Sequence, residues 1–141
     1  MRFHGVTSII LAIIVFAMSM TVLVTKSVSA ASAYGLFVIA VFLVIAYSYC
    51  AKCATRKRCS HVVLGMLTSF VPQRKTGPYT KADIAWMAAA FFALYAVSFA
   101  VLWPNKPMFA AALLLTAATV SEIKILVCPS CKNIYCPIKK L

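Results

Sequence analysis

Four apolar stretches, each about 20 residues long, run from about Val6 to Val24, Ala33 to Tyr49, Ile84 to Trp103 and Met108 to Val127. Charged side chains lie at their borders or between them, with Glu122 and Lys124 in the last turns of the fourth. A helix of that length crosses a hydrocarbon core about 30 Å thick at about 1.5 Å per residue. Apolar residues fill every helical face with no strand-like alternation, and backbone polar groups in lipid must be satisfied within the segment, so helices are expected over barrel strands. The fold class predicted is therefore an all-α membrane protein, a four-transmembrane-helix bundle forming one domain over the 141 residues.

Composition excludes the soluble classes. The chain is 64% hydrophobic with a mean hydropathy of +0.97, while only 11% of its residues are charged. Ordinary soluble domains hold about 45–50% apolar residues. Disorder needs low hydrophobicity, and a disulfide-stapled secreted scaffold would be shorter and less apolar. Net charge is +12, yet of the 14 basic residues only Lys26 and Lys106 fall on one side of the expected bundle. The remaining basic residues share the side of both termini, which predicts that the loop from Cys50 to Ala82 and the tail from Cys128 to Leu141 are cytoplasmic. This asymmetry accounts for the basic charge without nucleic acid. The expected location is a prokaryotic inner (plasma) membrane, with anionic inner-leaflet lipids as partners. Ser27 to Ala33 resembles a small-residue cleavage site after a signal segment, but the long apolar core and the single preceding Arg2 favour an uncleaved span.

The chain repeats one layout twice: span, short link, span, then cysteines. The first half ends in Cys50, Cys53 and Cys59, the second in Cys128, Cys131 and Cys136, spaced C-x2-C-x5-C and C-x2-C-x4-C. Two hairpins related by a pseudo-twofold axis along the membrane normal would bring the inner ends of the second and fourth helices side by side, so that the clusters, in segments 50–61 and 128–137, could meet. Between them, Val62 to Val71 is apolar but too short to span; Val63, Met66, Leu67, Phe70 and Val71 share a helical face, which predicts an interfacial helix with basic flanks. Thr80 and Asp83 are spaced as a capping box for the third span.

Cytoplasmic thiols stay reduced, so paired C-x2-C turns point to metal binding. Cys50, Cys53, Cys128 and Cys131 would supply four soft ligands for zinc or an iron-sulfur cluster, with Cys59, Cys136 and His61 completing or exchanging in the site. Cys128-Pro129-Ser130-Cys131-Lys132 resembles the knuckle of zinc ribbons, and Cys136-Pro137 resembles the end of bacterial ferredoxin motifs, whose full spacing is absent. Both resemblances cover the tail only. The expected function is a small membrane metalloprotein whose cytoplasmic cysteine site serves docking of a membrane or cytoplasmic protein partner, or electron transfer. No catalytic residues are assigned. The alternatives are a heavy-metal ion transporter, disfavoured because no span centre holds a cysteine, and a membrane thiol-redox protein. Glu122 is the one acid near membrane depth and is a functional candidate on that ground.

Overall fold

The computed structural model describes residues 2–53, 68–130, 133, 135 and 136. All regular structure among them is helical: α1 (Arg2–Lys26), α2 (Val28–Ser48), α3 (Lys81–Leu102) and α4 (Lys106–Glu122), with short 3-10 turns at Cys50–Lys52 and Thr68–Phe70. Four helical segments are long and apolar enough to cross a membrane: Gly5–Lys26, Val28–Lys52, Lys81–Leu102 and Lys106–Val127. This is consistent with an integral membrane protein.

Each start has a physical cause. Ser27 is the only residue between α1 and α2; it is extended, at φ −165° and ψ 125°, and its hydroxyl accepts the Ala30 N–H at 3.4 Å. The second helix therefore begins at Val28, five residues before the start expected from hydropathy, and the link shrinks to one residue. Thr80 and Asp83 form the expected capping box, each side chain accepting the other's backbone N–H. Asn105 caps α4 by accepting the Met108 N–H at 3.3 Å, with Pro107 in the first turn, where a missing N–H costs nothing. Past Glu122 the chain continues as a π turn, Ile123–Val127, in which the Cys128 N–H reaches back to the Ile123 carbonyl, and then one further turn, Cys128–Ser130.

Helix α1 packs against all three other helices; its most extensive contact is with α4, and α2 packs most extensively on α3. Helices α1 and α3 touch across the centre, leaving α2 and α4 at opposite corners without extensive mutual packing. One apolar cluster joins Val41 and Ile45 of α2 to Ala90 and Leu94 of α3; a second joins Val15, Leu102 and Ala112 of α1, α3 and α4. Leu36, Phe92 and Leu114, by contrast, face outward and are exposed, the arrangement that lipid requires. Between the clusters lies a polar node: Tyr34 Oη is 2.8 Å from Ser98 Oγ, and Ser19 Oγ donates to the Ser98 carbonyl at 3.5 Å. Three helices are thus tied together at one depth, where lipid offers no competing water.

The expected interfacial helix falls largely outside the described residues. Of its length, Thr68–Phe70 forms a 3-10 turn in which Thr68 is buried and Phe70 is 88% exposed.

Candidate thiol site at one end of the bundle

The Cys50–Lys52 turn begins where α2 ends. The Cys53 N–H donates to the Cys50 carbonyl at 3.1 Å, so the first C-x2-C pair forms one tight turn with both thiols half-buried. The chain before α3 returns to this turn: the Arg74 N–H donates to the Ala51 carbonyl at 3.0 Å, and Tyr79 Oη donates to the Tyr49 carbonyl at 3.1 Å. The rings of Tyr49 and Tyr79 stack with centroids 4.8 Å apart.

Asp83 fixes the returning chain electrostatically. Lys52 Nζ and Arg74 Nη1 each lie 2.8 Å from one of its carboxylate oxygens, and Asp83 is 4% exposed. The Arg74 guanidinium also lies over the Tyr47 ring, 5.1 Å from its centroid. The capping carboxylate of α3 therefore also clamps the end of α2.

The tail after α4 reaches the same place. Tyr49 Oη is 2.7 Å from Cys136 Sγ, and Asn133 Nδ2 donates to both Cys53 Sγ and Tyr79 Oη at 3.4 Å. Cys136 is buried, and a turn in which its N–H meets the Asn133 carbonyl at 3.4 Å holds it there. Burial, followed by the neighbouring Cys53 thiol, pushes the Tyr79 phenol above its ordinary range.

The structure thus brings Cys136 to the turn that carries Cys50 and Cys53. Cys128 is half-buried, at the end of the π turn. Cys59, Cys131 and His61 lie outside the described residues. Among the described residues no three His, Cys, Asp or Glu side chains form a group that could hold a metal ion. Glu122 is half-buried where α4 gives way to the π turn.

Sequence reasoning did not anticipate Tyr49, Tyr79 and Asn133. For two of them the proximity to cysteines was visible, since Tyr49 directly precedes Cys50 and Asn133 lies between Cys131 and Cys136, whereas Tyr79 is 20 residues from the nearest cysteine. The pairing of Tyr49 with Tyr79 depends on the chain before α3 returning to the end of α2, and the contacts of Asn133 depend on the tail reaching the same place. No family model, curated protein or solved structure matches the chain.

Proposed function

We propose that this protein is an integral membrane metalloprotein whose site is built from the first C-x2-C turn and the tail cysteines on the cytoplasmic face, binding zinc or an iron-sulfur cluster. The observation that carries the reading is the seating of Cys136 beside Tyr49, with Asn133 bridging to Cys53. Two cysteine segments separated by two spans are there drawn to one end of the bundle. Metal binding supplies free energy for ordering its ligands, so ligation completes the approach of thiols that the tyrosines and Asn133 have begun. Zinc gives a clamp between loop and tail that shapes a docking surface for a membrane or cytoplasmic protein partner; a cluster gives an electron relay.

The same reading places both termini on the inner side of a prokaryotic plasma membrane, from the basic asymmetry. Packing supports two repeated hairpins. Exchanging them maps α1 onto α3 and α2 onto α4, which carries the α1–α4 contact onto the α2–α3 contact, the two most extensive in the bundle. The segment from Val62 to Val71 is read as an interfacial helix on the inner leaflet.

Anaerobic purification followed by elemental analysis and a visible spectrum tests the site. Stoichiometric zinc without colour supports the clamp, and iron with matching sulfide and a reducible chromophore supports the relay. Cys53→Ser combined with Cys136→Ser is expected to lose the metal while the protein still elutes as a folded species. Metal-free parent protein, or full metal retention in the double variant, overturns the proposal.

A further inference from the structure

Beside the thiol turn, and independent of any metal in it, lies an open cleft of about 310 Å³ lined by Lys52, Arg74, Lys75, Thr76, Gly77 and Pro78. Three of the six lining residues are basic and none is acidic. Asp83 approaches this group, but it is buried and does not line the cleft, so its charge orients Lys52 and Arg74 without occupying the space before them. Both cations are held: Lys52 by the turn that ends α2 and by Asp83, Arg74 by its own N–H on Ala51, by Asp83 and by the Tyr47 face.

Fixed cations bind an anion at a lower entropic cost than freely rotating ones. The pair with Asp83 uses only part of the donor capacity present, since a guanidinium carries five N–H groups and an ammonium three. Lys52, Arg74 and Lys75 against Asp83 leave two net positive charges at the cleft. A phosphate monoester carries about −1.5 to −2 at neutral pH, which matches that excess, whereas a phosphodiester carries one negative charge and a zwitterionic headgroup none in balance. The cleft lies where α2 and α3 meet the end of the apolar bundle, the level of headgroups for a chain spanning a bilayer.

We propose that this cleft binds a phosphate monoester, presented either by a phosphatidate-type lipid headgroup or as free phosphate. Lys75 is exposed and is the cation whose removal leaves the Asp83 clamp intact.

The full-length protein, in detergent, is titrated with short-chain phosphatidic acid, short-chain phosphatidylcholine and inorganic phosphate, and binding is read by native mass spectrometry and by the thermal midpoint. Phosphatidic acid is expected to bind in preference to phosphatidylcholine and to raise the midpoint. Lys75→Ala should weaken this binding roughly tenfold, one lost charge-assisted contact, and Lys75→Glu should weaken it further, each with an unchanged ligand-free midpoint. Displacement of the lipid by inorganic phosphate identifies the phosphate group alone as the ligand; binding of phosphatidic acid that phosphate does not displace identifies the lipid as the source. Equal binding of phosphatidic acid and phosphatidylcholine, or unchanged affinity in both Lys75 variants, overturns the proposal.

Discussion

Asp83 shows how one side chain can hold several parts of a fold. As a capping residue it accepts the Thr80 N–H at 3.0 Å, and as an anion it meets two cations from segments that precede α3. Asp83→Asn preserves size and part of the cap but strands Lys52 and Arg74, so it is expected to cost about 3 kcal/mol, seen as a lower unfolding midpoint in detergent. Thr80→Ala removes the cap and the hydroxyl's 2.8 Å bond to the Asp83 carboxylate but leaves both ion pairs, and should cost about 1–2 kcal/mol in the same assay. The cap was legible from the Thr80-x-x-Asp83 spacing. The ion pair with Lys52 was not, because 31 residues separate the partners and nothing local encodes their meeting. Tyr79 makes a pH-dependent contribution of definite sign. Its phenol is raised in the folded protein by burial and by Cys53, so the stabilisation is complete below the unfolded value near pH 10 and is lost as pH rises past it. In an absorbance titration this phenol should ionise in the late phase, and Tyr79→Phe should lower the amplitude of that phase by one tyrosine.

Among elements, the apolar stretches named all four span-length helices found among the described residues, since lipid imposes a length and a composition that no later contact can override. Their ends were less legible. Hydropathy placed the second start at Ala33, but the cap at Ser27 governs the helix and begins it at Val28. The π turn at Ile123–Val127 left no mark in composition, because it arises from a shift of hydrogen bonds among residues that suit an α-helix equally well. Inside the bundle, Ser98 belongs to a polar node that ties α1, α2 and α3. Ser98→Ala should destabilise the bundle by about 1 kcal/mol, and combining it with Tyr34→Phe should cost little more, since the Tyr34–Ser98 hydrogen bond is already lost in either single variant. A double-mutant cycle on thermal midpoints measures that coupling.

At the scale of the whole molecule, orientation and site assembly rest on different signals. The distribution of lysine and arginine supports cytoplasmic termini, and an impermeant thiol reagent applied to intact cells should leave Cys50, Cys53 and Cys136 unlabelled until lysis. Efficient labelling before lysis would reverse the orientation. The cysteine spacings marked both segments as partners, but the expected route, inner ends of α2 and α4 side by side, differs from the packing, in which these helices occupy opposite corners. Reunion instead falls to the tail, whose short polar segment carries Asn133 and Cys136 to Tyr49, Cys53 and Tyr79. No periodicity in the sequence announces that meeting.

That meeting also sets a timetable for biogenesis. Tyr49 and Cys136 are 87 residues apart in sequence, with α3 and α4 between them. Ribosomes add about 5–20 residues per second, so the first cysteine turn leaves the exit tunnel several seconds before its seat partner exists. During this interval Cys50 and Cys53 stand at the end of α2 with no tail over them. Completion of the tail closes the thiol seat last, after both α3 and α4 have been made.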